Sequence, residues 1–169
     1  VIPAAGVGKR MQADRPKQYL PLAGATVLEH TLARIAAHPS IAGTVVALSA
    51  GDAYWPEIRA RLAVSVEQTE GGAERCNSGL NALVALQSRA EADDWVLVHD
   101  AARPCLRADD IERLIEALAG HPVGGLLGVP IADTVKRTDP ESRVVETVDR
   151  RNLGRALTPQ MFRYGELRD

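Results

Sequence analysis

The sequence predicts an α/β fold in which a mostly parallel sheet is flanked by helices. Short apolar, β-branched runs alternate along the chain with segments of helical periodicity. The 169 residues contain no internal repeat and no Pro/Gly/Ser-rich linker, which predicts a single domain over 1–169. Between 133 and 148, two strand-like pieces flank turn residues, which predicts a protruding β-hairpin arm.

The first half of the chain is predicted to hold three strands and three helices. The strands are expected at 1–3, 43–49 and 64–66, and the helices at 26–38, 57–62 and 77–86. A glycine-bearing loop separates the first strand from the first helix. In the third helix we expect Leu80, Leu83 and Val84 to face the interior.

The second half continues the alternation and then changes character. A strand is expected at 95–98, and a helix at 109–118 because its apolar residues recur at i, i+3, i+4 and i+7. The bare apolar run 125–129 predicts another parallel strand. In the arm, the strands 134–137 and 144–148 carry little apolar surface. An isolated hairpin is marginally stable, so we expect the arm to pack on a second subunit.

Composition excludes several classes of partner. The chain has 20 Lys+Arg against 22 Asp+Glu, a formal net charge of -2, and so has no overall field for nucleic acid or a membrane surface. No apolar run approaches the roughly 20 residues that span a bilayer. Cys76 and Cys105 form no CxxC pair, which argues against a disulfide framework or a structural zinc site. These features predict a cytoplasmic protein with no nucleic-acid or membrane partner.

The loop that follows the first strand is a candidate phosphate-binding element. Gly6 and Gly8 allow a ligand to approach the backbone, while Arg10 and Lys17 add two cations. A tight strand-to-helix turn with solvated basic residues is the alternative. The third glycine of the dinucleotide-binding motif is absent, and no Gly-Lys-Ser/Thr follows, so neither that motif nor a P-loop is present.

A second candidate lies at the end of the strand 95–98. Asp100 follows the strand directly, where a carboxylate can hold a divalent cation such as Mg²⁺. Arg103 lies three residues later, so a simple ion pair between the two is the alternative. Together with a basic glycine loop, this carboxylate is typical of phosphoryl or nucleotidyl transfer.

Two further groups of residues complete the candidate site. Gly71 and Gly72 precede Ser78 in a loop that could read a nucleotide base, although helix capping by Asn77 or Ser78 also explains them. Around the arm, hydroxyl and cationic side chains suit a phosphorylated polyol, although ordinary surface polarity is the alternative. This last group contains Thr134, Arg150 and Thr158.

Six motifs occur in an order that identifies a family. They are Pro-Ala-Ala-Gly-x-Gly-x-Arg-Met at 3–11, Pro-Lys-Gln-Tyr at 16–19, Gly-Gly-x-Glu-Arg at 71–75, His-Asp-Ala-Ala-Arg-Pro at 99–104, Asp-Thr-Val-Lys at 133–136 and Ala-Leu-Thr-Pro-Gln at 156–160. Together they closely resemble the 2-C-methyl-D-erythritol 4-phosphate cytidylyltransferases. The resemblance implies a Rossmann-like nucleotidyltransferase fold, a homodimer that exchanges the arm, and Mg²⁺-dependent transfer of CMP from CTP to methylerythritol phosphate.

The same resemblance implies a role for each matching residue. Arg10 and Lys17 would stabilise charge on the triphosphate, and Arg150 would reach the neighbouring site through the arm. The positions that match nucleotide-binding residues are Ala4, Ala5, Gly6, Gly8, Gly72 and Ser78. Those that match substrate-binding residues are Asp100, Arg103, Thr134 and Thr158, with Asp100 also contacting the metal ion.

The chain departs from the family pattern at two points, and two alternative functions stay open. Ala73 stands where some relatives have an acidic residue, and the family's C-terminal portion does not follow Asp169, so we expect the chain to be incomplete at its C-terminus.

A ribitol 5-phosphate cytidylyltransferase has a similar glycine loop, although Ala102 and Ala156-Leu157 favour methylerythritol phosphate. The other alternative is a non-catalytic nucleotide-binding fragment, which would have no need for cations aimed at a transferring phosphoryl group.

Overall fold

The computed structural model describes residues 1–6 and 15–168. In chain order the strands are β1 Ile2–Pro3, β2 Pro21–Leu22, β3 Ala25–Thr26, β4 Val45–Leu48, β5 Glu67–Glu70, β6 Trp95–Val98, β7 Gly124–Pro130, β8 Val135–Thr138, β9 Val144–Val148 and β10 Gly154–Arg163. The helices are α1 Val27–Ala36, α2 Trp55–Arg61, α3 Arg75–Ala85, α4 Ala108–Leu118 and α5 Tyr164–Arg168. A short 3-10 turn covers Lys17–Tyr19.

Across the described residues, two three-stranded sheets, β5-β4-β1 and β6-β10-β7, lie side by side and are joined through Val1. β1, β4 and β5 pair in parallel. The Val1 amino group donates to the Leu97 carbonyl oxygen at 2.7 Å, and the Val1 carbonyl accepts from the His99 amide at 3.0 Å, which joins β1 to β6 in the parallel pattern. β10 runs antiparallel between β6 and β7. The prediction of an α/β fold with a mostly parallel sheet is therefore confirmed.

The prediction that 125–129 pairs as a parallel strand was wrong. β7 pairs antiparallel with β10, which inserts between β6 and β7. β7 still points the same way as β6, because both of them oppose β10. The sequence analysis had no strand at Gly154–Arg163, since glycine and a Thr-Pro pair interrupt its apolar pattern. The register also shifts between Ala156 and Gln160, a bulge-like irregularity that no period-2 pattern reveals.

Two other local predictions were also wrong. The third strand lies at Glu67–Glu70 rather than 64–66, because it is a mostly exposed edge strand whose polar side chains give no apolar signal. On α3, Leu80 and Val84 are 45% and 43% exposed, whereas Leu83 is buried as expected. The interior face of α3 is formed instead by small residues beside Leu83, namely Ser78 and Ala82.

The hydrophobic core lies on both faces of the sheet. Alternate residues of β4 point to opposite faces, so Val46 and Leu48 join one cluster while Val45 and Ala47 join the other. The first cluster includes the buried sides of α1, α2 and α4, and the second includes those of α3 and α5. The helix predicted at 109–118 is confirmed, with Ile111 and Leu114 buried.

The polar segment near the C-terminal end forms the predicted hairpin. β8 and β9 are antiparallel, and among the described strands they pair only with each other. Val144 and Val145 of β9 are 62% and 63% exposed. In the part of the chain that the structure describes, no helix is long and apolar enough to cross a membrane.

Candidate nucleotide-binding site

Four parallel strands deliver their carboxyl ends to one edge of the sheet. The segment Ala4–Gly6 follows β1, Ser49 follows β4, Gly71 and Gly72 follow β5, and Asp100 lies just after β6. Ligands of open α/β sheets bind outside this edge. The structure therefore brings together the first residues of the glycine loop, Ala4–Gly6, the glycine pair and the strand-end carboxylate that the sequence singled out.

Two polar side chains donate hydrogen bonds to the backbone carbonyl groups of the segment after β1. The Gln18 amide Nε2 donates to the Ala4 carbonyl oxygen at 2.7 Å and to the Gly6 carbonyl oxygen at 3.1 Å. The Ser49 hydroxyl donates to the Ala5 carbonyl oxygen at 3.2 Å. Gln18 is only 3% exposed, although it lies one residue from the exposed Lys17.

The turn that carries Lys17 is anchored by an aromatic side chain. The Tyr19 hydroxyl donates to Asp52 Oδ2 at 2.6 Å, and the Tyr19 ring stacks on Tyr54 with centroids 4.7 Å apart. Burial and the neighbouring Asp52 carboxylate raise the pKa of Tyr19, so the phenol stays protonated. Lys17 is therefore exposed on a fixed turn next to the segment after β1.

The glycine pair lies against the segment after β1. The Gly71 amide donates to the Leu48 carbonyl oxygen at 2.6 Å, and a Cβ on Gly71 would overlap the Ala5 Cβ. The Gly72 amide donates to the Ser78 hydroxyl at 3.1 Å. Ser78 is 2% exposed and donates to the Glu74 carbonyl oxygen at 3.1 Å, so its hydroxyl shapes the loop from inside. The N-cap of α3 is Glu74 rather than Asn77 or Ser78.

Asp100 lies between two arginines. The Arg75 Nε lies 3.0 Å from Asp100 Oδ1, and the Arg103 Nε lies 2.8 Å from Asp100 Oδ2. Partial burial by itself would raise the pKa of Asp100, but the two guanidinium groups outweigh it and hold the pKa below its ordinary value of 3.8. Asp100 is thus ionised at neutral pH. The ion pair with Arg103, considered as an alternative, is present.

Arg75 and His99 were missed by the sequence analysis. Arg75 belongs to the Gly-Gly-x-Glu-Arg motif, but only the packing of α3 against β1, β4 and β5 brings it to Asp100. His99 is 1% exposed, and its Nε2 lies 2.9 Å from the Arg103 carbonyl oxygen. Burial lowers the pKa of His99, so the neutral ring donates to that oxygen and fixes the loop between Asp100 and Arg103.

A groove of about 820 Å³ opens beside this carboxylate. Arg103 and Thr158 line it, and the Asp100 amide donates to the Thr158 hydroxyl at 3.4 Å. Thr134 and Arg150 are exposed at the base of the arm and do not line the groove. Within one chain, the structure therefore brings Arg103 and Thr158 together with Asp100, whereas Thr134 and Arg150 do not line the groove.

The site could bind a hard divalent cation such as Mg²⁺ if a phosphate-bearing ligand supplied some of the oxygen ligands. Asp100 supplies one ionised carboxylate, and residues 1–6 and 15–168 contain no cluster of three or more His, Cys, Asp or Glu side chains that could hold a metal ion. Mg²⁺ commonly takes one or two carboxylates together with substrate phosphates and water, so a single carboxylate fits. The predicted Arg10 and Gly8 lie outside the described residues.

A family model, curated relatives and solved structures match this chain and point to the same family. The family model described as 2-C-methyl-D-erythritol 4-phosphate cytidylyltransferase matches residues 1–169. Proteins of that name from Pseudomonas fluorescens (strain SBW25) and Pseudomonas aeruginosa (strain PAO1) are each 57% identical over 168 residues, covering 99% of this chain and 72% of theirs.

Solved structures agree with this match. A 4-diphosphocytidyl-2C-methyl-D-erythritol synthase has a TM-score of 0.85 and 36% identity, covering 97% of this chain and 73% of that one. The Francisella tularensis 2-C-methyl-D-erythritol 4-phosphate cytidylyltransferase has a TM-score of 0.83 and 38% identity, covering 99% and 72%.

Proposed function

The chain belongs to the 2-C-methyl-D-erythritol 4-phosphate cytidylyltransferase family, and we propose that it transfers CMP from CTP to 2-C-methyl-D-erythritol 4-phosphate. The products are 4-diphosphocytidyl-2-C-methyl-D-erythritol and pyrophosphate. The observation that carries the proposal is the meeting of the Ala4–Gly6 segment and the Gly71–Gly72 pair with the Asp100 carboxylate at one edge of the sheet. The residues proposed for the base pocket, the triphosphate and the acceptor are thereby adjacent.

The reaction needs positioning and charge neutralisation rather than a strong base. The acceptor phosphate is anionic at neutral pH, and one of its oxygens forms the new bond to the α-phosphorus of CTP. The bond from that phosphorus to the bridging oxygen breaks, and pyrophosphate leaves with the electron pair. Holding the two reactants in line supplies much of the rate.

Cationic side chains would neutralise the developing charge. Lys17 and Arg10 are proposed to act on the triphosphate, while Arg103 and Thr158 in the groove would hold the acceptor phosphate. Arg75 adds a further cation at the same carboxylate. Mg²⁺, held by Asp100 and the triphosphate, would withdraw charge from the phosphate oxygens. Such preorganised contacts act in the transition state without reorganisation.

Nucleotide recognition is proposed to rest on backbone and small side chains. The backbones of Ala4, Ala5 and Gly72 would line the cytosine pocket, and the Ser78 hydroxyl holds the Gly72 loop in shape. The Gly6 and Gly8 amides would face the triphosphate. Small residues suit this role because they let the nucleotide approach main-chain donors closely.

A second protomer is proposed to complete the acceptor site. Thr134 and Arg150 lie at the base of the exposed arm and away from the groove of their own chain. Exchange of the 133–148 arm in a homodimer would bring them to the partner's groove. A cytoplasmic location stays a prediction from the sequence.

The test is pyrophosphate release with CTP and Mg²⁺ in parallel reactions with methylerythritol phosphate and ribitol 5-phosphate. Turnover with methylerythritol phosphate alone, abolished by EDTA and restored by Mg²⁺, is expected. Turnover with ribitol 5-phosphate alone would instead assign the other acceptor. Absence of turnover with both acceptors would contradict the proposed function.

A further inference from the structure

Three successive carbonyl groups of the segment after β1 are each engaged by a side chain. Gln18 Nε2 binds the carbonyl oxygens of Ala4 and Gly6, and the Ser49 hydroxyl binds that of Ala5. Gln18 is buried, so its amide has no competing water on that side. The Gln18 side chain, which belongs to the turn of Lys17 and Tyr19, thus holds the backbone of a different loop.

This arrangement fixes the direction of the neighbouring amide groups. In a planar trans peptide the N–H points opposite to the carbonyl of the same peptide unit. The Ala5 amide therefore points away from Gln18, and the Gly6 amide points away from Ser49. Among the described residues, neither amide has a hydrogen-bond acceptor. Ala5 is partly exposed and Gly6 is exposed, so both N–H groups are accessible to a bound acceptor.

The position of the segment limits what that acceptor can be. Gly71 packs against Ala5 so closely that a Cβ would overlap the Ala5 Cβ, and Lys17 is exposed beside the Gln18 turn. Outward-facing amides next to a lysine form a site for a ligand rich in acceptor oxygens and negative charge.

We propose that Gln18 is a positioning residue for CTP, which together with Ser49 ties back the loop carbonyls and presents the Ala5 and Gly6 amides to the nucleotide. The inference deepens the proposed function. Without the Gln18 amide, the carbonyls of Ala4 and Gly6 lose their donors, and the peptide planes are free to rotate those oxygens toward the anionic ligand. Loss of Gln18 therefore acts on CTP and leaves the acceptor groove untouched.

The experiment compares Gln18→Met, which keeps the volume but removes the donor, with Gln68→Met as a matched control. Gln68 accepts hydrogen bonds from Trp55 and Arg59 on the α2 side of the sheet, so the control also loses glutamine contacts. Steady-state kinetics and calorimetric titration with CTP alone are measured on each variant. In Gln18→Met, KM and Kd for CTP are expected to rise at least about tenfold, while the KM for methylerythritol phosphate changes less than about twofold. Gln68→Met is expected to match the wild type.

Ser49→Ala provides a second, milder variant. It removes the donor to one carbonyl rather than two, so the Kd for CTP is expected to rise about threefold. If Gln18→Met does not fold, the Ser49→Ala variant alone tests the proposal. An unchanged Kd for CTP in Ser49→Ala would then overturn the proposal, as would wild-type CTP affinity in a folded Gln18→Met or equal losses in Gln68→Met.

The titration with CTP also separates this inference from the proposed reaction. If the wild-type chain binds CTP but turns over neither acceptor, the proposed function fails while the binding comparison still tests Gln18. If turnover is normal and the Gln18 variant binds CTP as the wild type does, only the positioning role fails.

Discussion

Lys17 combines an exposed cation with a rigidly held backbone. Its 3-10 turn is fixed by the buried neighbours Gln18 and Tyr19, while the Lys17 side chain itself is exposed. A charge placed this way can act on the triphosphate at little cost to folding. Removing it should therefore separate catalysis from stability.

Lys17→Ala is expected to lower kcat at least about a hundredfold, because a lost preorganised charge contact costs about 3 kcal/mol in comparable sites. Its thermal midpoint is expected to stay within about 2 °C of the wild type. Arg59→Ala, which removes an exposed cation from α2, serves as the control with unchanged kcat. Pyrophosphate release and thermal unfolding measure the two effects, and near-normal turnover in Lys17→Ala would contradict its role.

Gly71 shows how one missing Cβ controls the contact between two loops. An added Cβ would overlap the Ala5 Cβ and lie 2.9 Å from the Ser78 hydroxyl and 3.2 Å from the Leu48 carbonyl oxygen. The Ala5 Cβ and the Leu48 carbonyl oxygen can move away only if the backbone shifts, which costs free energy. Glycine is required here by space, since its φ angle is not positive.

Gly71→Ala is expected to destabilise the fold by about 1–3 kcal/mol through overpacking and to raise the KM for CTP at least about tenfold. Gly79→Ala is the control, because nothing lies within 4 Å of its added Cβ and the helix interior favours alanine by about 0.5–1 kcal/mol. Urea unfolding and steady-state kinetics test both variants. Equal behaviour of the two would refute a spatial role for Gly71.

At the scale of elements, Glu29 joins the start of α1 to the end of α2. Its carboxylate accepts from the Thr26 amide at 2.7 Å, completing a capping box, and from Arg61 Nε at 2.9 Å. Burial alone would raise the pKa of Glu29, but Arg61 and Thr26 together hold it below its ordinary value of 4.5. Because the folded-state pKa is lowered, this stabilisation is present above pH 4.5 and is lost as the pH falls through the lowered pKa.

Glu29→Gln is expected to lower the free energy of unfolding by about 2 kcal/mol at pH 7. The difference from the wild type should hold above pH 4.5 and shrink at more acidic pH. Glu57→Gln is the control: Glu57 also pairs with Arg61, but its side chain is 79% exposed, so we expect a change within about 0.5 kcal/mol. If the loss of unfolding free energy in Glu29→Gln does not vary with pH, the charge of the Glu29 carboxylate is not its cause.

The element scale also shows why prediction from sequence was uneven. α4 was predicted well, because its apolar residues recur at a helical period that depends only on neighbours along the chain. α3 was predicted at nearly the right place but with a partly wrong interior face, because it presents Ser78 to the Gly72 loop and Ala82, beside Leu83, to the core. Hydrophobicity alone cannot identify a helix face that is selected for small size.

At the scale of the whole molecule, the arm is the feature on which the proposed dimer rests. β8 and β9 pair with each other, and Val144 and Val145 are mostly exposed. Two-stranded hairpins of this kind are marginal in isolation, which supports the proposed exchange between protomers. The same exchange would carry Arg150 to the neighbouring groove.

Val144→Glu combined with Val145→Glu is expected to convert a dimer to a monomer, because charges would be buried in the arm interface. Turnover should fall with dimer dissociation. Val123→Glu, at an exposed valine outside the arm, should remain dimeric. Light scattering at micromolar concentration distinguishes the species. A monomeric wild-type chain, or a double variant that stays dimeric with full activity, would contradict arm exchange.

The amino-acid sequence alone was enough to predict the fold class, most elements and the residue types of the candidate site. Local periodicity and turn residues depend on contacts within a few residues, and the motifs around Lys17, Gly72 and Asp100 name their residue types directly. The insertion of β10 between β6 and β7, and the hydrogen bonds from Gln18 to the loop after β1, are visible only in the folded chain. The tertiary structure also brings Arg75 to Asp100, 25 positions away. These pairings depend on long-range packing and buried hydrogen bonds, which satisfy backbone groups only once the sheet is assembled.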